Sequence, residues 1–142
     1  MLKDMVLQRE VRINAPAEKV WLVLTDPILV KRYLYGTTMT AEPYAGGSIR
    51  FTGVWEGTEY VDKGTVTGYT PNEYFAYSYY SSFSPLPDLP ENYAAIAFTI
   101  VRQPSGSLLQ LEQRGFADEA AYRHSLENWG SILDTMKALA EE

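Results

Sequence analysis

The sequence predicts an α+β fold in which about six to seven antiparallel strands precede one long helix. Apolar and polar residues alternate along short segments up to residue 116, and turns rich in glycine and proline separate these segments, as is typical of antiparallel strands. Residues 117–140 instead repeat apolar positions at steps of four and three, which places them on one helical face. Such a helix is about 36 Å long, enough to cross a small domain.

The N-terminal part is predicted to form one strand and two short helices. Residues 5–14 alternate in strand fashion, and Pro16 after them is typical of a helix start. Asp26 can cap a second short helix that Pro27 opens. Gly36 is the predicted end of that helix.

The middle of the chain is predicted to be a series of strands joined by tight turns. Residues 55–58 and 104–106 have turn composition, and Asp118 is the predicted cap of the final helix. Residues 81–91 contain three prolines and are predicted to form a loop, because proline cannot donate in a ladder. The residues predicted to face inward are Ile49, Phe51, Phe75, Tyr77, Tyr79, Ile96, Phe98, Ile100, Leu109 and Leu111.

Length and charge restrict the functions that the chain can have. It has 142 residues, which we expect to form one domain spanning residues 1–142. Its net charge is −6, and its 12 basic residues are scattered. Since phosphate binding needs clustered positive charge, nucleic acid is not an expected partner. With no cysteine, disulfides, thiolate nucleophiles and cysteine-ligated metals are excluded.

The sequence carries no expected membrane or export signal. Charged residues interrupt the first 12 positions, where a signal peptide needs an apolar core. No apolar run reaches the length of a membrane span. We therefore expect a cytoplasmic protein without a membrane span.

Tyrosine is the unusual component of the predicted sheet. The chain has 11 tyrosines, whereas a purely structural core favours Leu, Ile and Val because a buried phenol needs a hydrogen-bond partner. An apolar wall with a few polar tips is typical of a ligand site. The tyrosines therefore favour a partly polar cavity between sheet and helix, and the alternative is that they fill core and bond to backbone or water.

Asp62 shares strand parity with Tyr60 and Gly64 and faces inward if no bulge intervenes. A buried carboxylate is costly unless it is hydrogen-bonded. An inward Asp62 would be the best candidate for a ligand anchor or an acid–base group. The alternative is a surface aspartate at a strand irregularity.

The final helix supplies the opposite wall of the predicted cavity. Trp129 and Leu133, at mid-length, are predicted to face the enclosed space. His124 is the only histidine and lies about 140° from Trp129 at about 100° per residue, so it is predicted to point away. The full apolar stripe is Tyr122, Leu126, Trp129, Leu133, Met136 and Ala140.

The predicted cavity has candidate residues for ligand binding but none for catalysis. No catalytic residue, metal site or cofactor is predicted, because one histidine without cysteine and without a suitable acidic spacing builds none. Residues 81–91 are a candidate lid, a partner surface or an ordinary connection. The candidate ligand-binding residues are Tyr33, Trp55, Tyr60, Asp62, Tyr77, Tyr79, Phe98, Trp129 and Leu133.

Several short motifs follow one another in a characteristic order over residues 6–140. They are Ile13-Asn14-Ala15-Pro16 with Val20-Trp21, Gly46-Gly47, Lys63-Gly64-Thr65-Val66, Pro71, and Gly115-Phe116 followed by Trp129, Leu133 and Lys137. Together they resemble the Hsp90 ATPase activator homologue-like family of the SRPBCC (START-like) superfamily.

The resemblance implies a helix-grip fold, a curved antiparallel sheet around the C-terminal helix with a cavity between them. Family members bind lipids, polyketides, hormones or other hydrophobic molecules, and related groups are cyclases or aromatases. The eukaryotic namesake stimulates a chaperone. Many relatives carry a tryptophan near the end of the second helix, where this chain has Tyr33-Leu34-Tyr35. We expect this difference to alter the pocket mouth and to leave the fold unchanged.

The leading hypothesis is binding of a small hydrophobic or aromatic molecule, as a carrier or sensor. The first alternative is a cyclase-, aromatase- or hydrolase-like enzyme that uses Asp62 or a cavity tyrosine as general acid–base. The second is an interaction protein of the chaperone-cofactor type, which the family name alone suggests. A monomer and a homodimer are both compatible with the sequence.

Overall fold

A computed structural model describes residues 1–142 and shows a seven-stranded antiparallel sheet with three α-helices. The predicted order of one strand, two short helices, six strands and a long helix is confirmed. The elements are β1 (Leu2–Ile13), α1 (Ala17–Thr25), α2 (Pro27–Tyr33), β2 (Thr38–Ala41), β3 (Ser48–Trp55), β4 (Thr58–Thr70), β5 (Tyr74–Tyr79), a 3₁₀ turn (Pro90–Asn92), β6 (Ala94–Gln103), β7 (Gly106–Phe116) and α3 (Glu119–Ala140).

The sheet order is β1-β7-β6-β5-β4-β3-β2. β1 and β2 occupy opposite edges because α1 and α2 carry the chain from one edge to the other. From β2 onward each strand pairs with the next one along the chain, and β7 finally pairs with β1. α3 packs mainly against β1 and α1, with fewer contacts to α2 and β7. The helix therefore lies over one end of the sheet rather than over its middle.

The predicted turns and caps are present. Glu56 and Gly57 have φ angles of 49° and 80°, the pair of positive values that a two-residue hairpin turn of type I′ requires. Asp26 accepts a hydrogen bond from the Ile28 N–H at 2.8 Å and caps α2. Asp118 caps α3 by accepting from the Ala121 N–H at 2.8 Å. Because the backbone of Asp118 is extended, α3 begins two residues later than predicted.

The inward faces of the strands form the core as predicted. Burial of each large apolar side chain contributes about 1.5–3 kcal/mol. The C-terminal half of α3 is buried deeply, whereas Tyr122 and Leu126 in its first half are only half-buried. None of the helices combines the length and the apolar character needed to cross a membrane. The buried strand residues are Ile49, Phe51, Phe75, Tyr77, Ile96, Phe98, Ile100, Leu109 and Leu111.

β4 and β5 approach each other unusually closely at Gly64. A Cβ atom at this position would lie 1.7 Å from the backbone oxygen of Ser78. The register of the two strands shifts between Val66 and Gly68, and the Ser78 hydroxyl accepts a hydrogen bond from the Thr65 N–H at 2.9 Å. Only glycine permits this approach.

Gly64→Ala should therefore destabilise the protein by about 1–3 kcal/mol or more, since the clash is with backbone and the strands must separate. Gly130→Ala in α3 is the matched control, because its added Cβ meets no atom closer than 3.5 Å. Alanine favours a helix over glycine by about 0.5–1 kcal/mol, so the control should be equally or more stable. Urea unfolding of both variants measures the difference, and equal midpoints would contradict the close strand approach.

Candidate functional site

A cavity of about 480 Å³ lies between the inner faces of β3–β5 and α3. Twelve of its 19 lining residues are hydrophobic. The space exists because α3 packs over the β1 end of the sheet and leaves the inner side chains of β3–β5 without a helix directly against them. Its volume falls within the range of about 300–1,000 Å³ that is usual for small-molecule sites.

Two larger surface depressions differ from this cavity in their chemistry. One of about 690 Å³ crosses the outer face of the sheet, and one of about 630 Å³ lies at the β6–β7 hairpin. Only three and two of their nine lining residues, respectively, are hydrophobic. Because ligand sites are predominantly apolar, the cavity under α3 is the candidate site.

The structure brings six of the nine predicted site residues together in the cavity wall. Five come from the β3–β4 hairpin and β5, and the sixth comes from α3. Their shared position follows from strand alternation, which turns every second side chain toward the helix. They are Trp55, Tyr60, Asp62, Tyr77, Tyr79 and Trp129.

The prediction that Tyr33, Phe98 and Leu133 line the cavity is wrong, because all three are buried in the core beside it. Tyr33 donates its hydroxyl to the Leu24 carbonyl at 3.0 Å, and burial raises its pKa. Phe98 packs edge-on against Trp129 with ring centroids 5.7 Å apart. The rotation of α3 places Ile132, rather than Leu133, in the wall.

Sequence reasoning also missed several wall residues. Gln113 has the inward parity of Leu109 and Leu111, and a polar residue in such a position is a signal that could have identified it. His124 lines the rim of the cavity and is exposed, so the prediction that it points away from the site is wrong. The first turns of α3 are only half-buried and reach the open side of the cavity. His124 therefore borders the opening although it does not belong to the buried stripe of the helix.

Asp62 is the polar centre of the wall formed by β4 and β5. Its side chain is buried, with the residue 6% exposed, so the inward position is the one observed of the two that the sequence left open, and the surface alternative is wrong. Its Oδ2 accepts from the Tyr79 hydroxyl at 2.5 Å. Its Oδ1 accepts from the N–H and the hydroxyl of Ser82 at 2.9 and 3.1 Å. These three donors compensate for the burial of the carboxylate.

The neighbouring phenols are protonated donors at neutral pH. Burial raises the pKa of Tyr79, and the negative charge and hydrogen bonding of Asp62 raise it further. Burial alone raises the pKa of Tyr77. Tyr77 is 5% exposed, and its hydroxyl makes no hydrogen bond within the protein. Since no fully enclosed polar side-chain atom lacks a partner, the Tyr77 hydroxyl opens into the cavity.

Gln113, on β7, is the polar centre of the wall on the other side of the cavity from Asp62. The Trp129 Nε1–H donates to Gln113 Oε1 at 2.7 Å. An indole N–H can only donate, so this bond fixes the orientation of the amide. The Gln113 Nε2 group has no protein partner, although the residue is only 8% exposed. Because no enclosed polar atom is unpaired, Nε2 faces the cavity.

Exposed aromatic residues surround the cavity mouth. Tyr35 follows α2 and donates its hydroxyl to Asn128 Oδ1 on α3 at 3.1 Å, which bridges the opening. Phe83, from the 81–91 loop, packs against the Tyr60 ring at 5.8 Å between centroids. Trp55, at the β3–β4 hairpin, is 62% exposed. The Tyr33-Leu34-Tyr35 segment thus reaches the mouth, as expected, through Leu34 and Tyr35.

The site has few of the groups that catalysis requires. His124 makes no hydrogen bond to Asp62 or to a cavity serine, and no cluster of three or more histidine, aspartate or glutamate side chains could hold a metal ion. The arrangement can orient a ligand through buried hydrogen-bonding groups on two walls. It contains no nucleophile activated by an adjacent base.

The family model described as activator of Hsp90 ATPase homolog 1-like protein matches residues 14–141. No curated protein matches the chain. A protein from Cytophaga hutchinsonii, solved in solution, is 35% identical, and the match covers 99% of this chain and 97% of that one with a TM-score of 0.85.

Two more distant structures show the same fold. The Aha1 dimer from Colwellia psychrerythraea is 17% identical with a TM-score of 0.75, and the match covers 96% of both chains. CalU16 from Micromonospora echinospora is 18% identical with a TM-score of 0.70, and the match covers 96% of this chain and 83% of that one. The helix-grip fold predicted from the sequence is confirmed.

Tyr79→Phe should lower stability at neutral pH by about 1–3 kcal/mol, because Asp62 then loses one of its three donors while it stays buried. Tyr44→Phe is the matched control, since its hydroxyl donates to Glu42 on the exposed surface; its effect should stay within about 0.5 kcal/mol. Denaturant unfolding measures both. A Tyr79→Phe variant as stable as the control would show that the hydrogen bond from Tyr79 to Asp62 does not contribute to stability.

Stability should also fall in alkaline solution. Phenols of the unfolded chain ionise near pH 10, whereas the raised pKa values of Tyr33, Tyr77 and Tyr79 keep their protons on the folded protein. Their contribution is therefore complete below about pH 10 and is lost as the pH rises, with a slope of up to about 1.4 kcal/mol per unit for each phenol. Tyr79→Phe should reduce that slope by the contribution of one phenol. An unchanged slope in a pH series of unfolding curves would contradict this assignment.

Proposed function

The chain belongs to the activator of Hsp90 ATPase homolog 1-like family, and we propose that it binds a small hydrophobic or aromatic molecule in the cavity under α3, as a carrier or sensor. The observation that carries the proposal is the mainly apolar cavity of about 480 Å³ into which two polar groups without a protein partner open, the Tyr77 hydroxyl and Gln113 Nε2. A purely structural core would leave neither the space nor the free hydrogen-bonding groups.

The cavity wall suits an aromatic ligand energetically. Phe51 packs against Tyr77 and Tyr79 with ring centroids 5.4 and 5.6 Å apart. These rings offer faces and edges to an inserted ring. A ring system the size of tryptophan buries up to about 250 Å², which corresponds to about 6 kcal/mol before the cost of association.

The position of the exposed apolar residues favours ligand entry over a protein-interaction role. Val54, Trp55 and Phe83 are exposed and all belong to the cavity mouth. Other exposed apolar residues, such as Ile28 and Val101, lie on separate elements and form no part of the mouth. Single exposed apolar residues are normal on protein surfaces, whereas a contiguous group marks a site of binding.

The hydrogen bonds of Asp62 favour binding over acid–base catalysis. Tyr79 and Ser82 occupy three of about four lone-pair sites of the carboxylate, which leaves one site for a hydrogen bond from a ligand. The enzymatic alternative lacks a free partner group beside Asp62, since the Tyr79 proton is directed to the carboxylate and His124 lies at the rim. We therefore retain the binding function as the proposal.

We also propose that residues 1–142 act as one domain, because one continuous core joins the sheet and the three helices. The Colwellia relative is a dimer. A monomer and a homodimer are both compatible with this proposal, and light scattering distinguishes them. A cytoplasmic location stays a prediction from the sequence.

Ile96→Trp should weaken binding of the neutral fluorescent probe N-phenyl-1-naphthylamine, because Ile96 lines the cavity and the larger indole occupies part of its volume. Val101→Trp is the matched control on the outer face of the same strand. We expect the wild type and the control to bind the probe alike, and Ile96→Trp to bind it at least about tenfold more weakly, a difference of about 1.4 kcal/mol.

The measurement is a fluorescence titration on folded protein, with far-ultraviolet circular dichroism to verify the fold of each variant. Native mass spectrometry of protein purified from its own host then identifies any co-purifying molecule. A wild type that takes up no probe, or an Ile96→Trp variant that binds as well as the control, would refute the proposed binding site.

A further inference from the structure

The charges around the cavity are strongly one-sided. Asp62 is the one acidic residue in the wall, and neither lysine nor arginine lines it. Lys63 is next to Asp62 in sequence, but it is exposed and pairs with Asp88 at 2.6 Å. Charges interact strongly when water is excluded. A ligand carboxylate or phosphate inside the cavity would meet a buried negative charge, with no lysine or arginine in the wall to balance it and only the exposed imidazole of His124 at the rim.

The wall around Asp62 is suited to accept a hydrogen bond. An ionised carboxylate offers about four lone-pair sites, and the protein occupies three of them. Two of these bonds end on Oδ1 and one on Oδ2, so Oδ2 retains the capacity for one more. The Tyr79 hydroxyl, whose proton is directed to Asp62, also has free acceptor capacity. This wall therefore matches a ligand O–H or N–H.

The wall around Gln113 has the opposite preference. Trp129 occupies the Gln113 carbonyl oxygen, and the free Nε2 group can only donate. Gln113 pairs with Ile96, and Ile96 pairs with Tyr77, so the three residues form one row across β7, β6 and β5. A carbonyl-type oxygen of the ligand is the matching partner for Nε2.

The two polar centres are separated by apolar surface. β4 and β7 lie three strands apart in the sheet, about 14 Å across it at about 4.7–4.9 Å per strand. The row of Gln113, Ile96 and Tyr77 continues to Val66 on β4, and Asp62 lies four residues before Val66, about 13 Å along the strand. The backbones of Asp62 and Gln113 are therefore about 19 Å apart. Ile96 and Ile132 line the space between them. Because the side chains point into the cavity, the distance that a ligand must bridge is shorter than the distance between the backbones.

We propose that the cavity selects an uncharged, largely aromatic molecule that carries a hydrogen-bond donor for the Asp62 wall and a carbonyl-type acceptor for Gln113, and that it rejects carboxylates and phosphates of the same shape. This inference rests on the proposed function, because it assigns the chemistry of the same cavity. Asp62 and Gln113 are its specificity-determining residues.

Three probes of nearly the same shape separate these features. 4-Hydroxybenzophenone has both the donor and the ketone, 4-benzylphenol lacks the ketone, and 4-benzoylbenzoate carries a carboxylate in place of the phenol. At about pH 6.5 the carboxylate is ionised and the phenols are not. Quenching of tryptophan fluorescence and isothermal titration calorimetry measure the affinities. We expect the wild type to prefer 4-hydroxybenzophenone over 4-benzoylbenzoate by about tenfold or more and over 4-benzylphenol by about three- to tenfold.

Asp62→Asn tests the charge selection. It should reduce the preference for 4-hydroxybenzophenone over 4-benzoylbenzoate to about threefold or less, because the repelling charge is gone. Glu59→Gln is the matched control, with the same change of charge on the exposed face of the same strand. It should leave the preference unchanged.

Gln113→Leu tests the acceptor selection. It should equalise the affinities of 4-hydroxybenzophenone and 4-benzylphenol. Gln110→Leu, on the outer face of the same strand, should not. Since both ligands experience any loss of packing at Trp129, the ratio of their affinities isolates the hydrogen bond to the ketone.

Several outcomes would overturn the inference. In the wild type, these are equal affinity for 4-benzoylbenzoate and 4-hydroxybenzophenone, or equal affinity for 4-benzylphenol and 4-hydroxybenzophenone. In the Asp62 and Gln113 variants, they are affinity ratios that match those of the control variants. The last is a protein that binds N-phenyl-1-naphthylamine but none of the three probes. If Asp62→Asn fails to fold, the wild-type preference for the phenol over the carboxylate decides the question alone. Failure to bind N-phenyl-1-naphthylamine as well would instead refute the proposed function.

Discussion

The off-centre packing of α3 determines the shape of this protein. The C-terminal half of the helix is buried with Met136 and Leu133 in the core, and its neighbours are chiefly β1 and α1. A helix laid centrally on the sheet would fill the concave face with core, as close packing favours. Since α3 instead covers the β1 end, the aromatic inner faces of β3–β5 keep an open-mouthed cavity in front of them. Both the fold and the candidate site depend on this single packing arrangement.

A second constraint keeps the remote wall in position. Asp62 joins three segments, because Tyr79 belongs to β5 and Ser82 to the 81–91 loop. Gly64 allows β4 and β5 to approach closely just beside it. The loop is held again by the Lys63–Asp88 ion pair, which is exposed and therefore contributes little on its own. The buried carboxylate is the stronger link, and it also sets the charge that a ligand meets.

Polar groups are distributed so that the cavity is apolar in the middle and polar on two sides. The indole of Trp129 has two roles, since its ring packs on Phe98 and its N–H orients Gln113. This division between packing and orientation is the physical basis of the proposed binding function, because buried hydrogen-bonding groups left without a partner are costly unless a ligand or water uses them.

The sequence by itself determined the order of elements, the family, the caps at Asp26 and Asp118, and the inward parity of Asp62 and Tyr77. These features depend on local spacing and on the chemistry of single residues, which the sequence states directly. Only the tertiary structure decided which inward residues border the cavity and which lie in solid core. Ile132, for example, lines the cavity where Leu133 was predicted to do so. Strand parity and helical periodicity assign a face, but they do not reveal how far α3 is displaced or rotated over the sheet. That displacement follows from packing among residues distant in sequence, and it alone separates the wall of a pocket from the interior behind it.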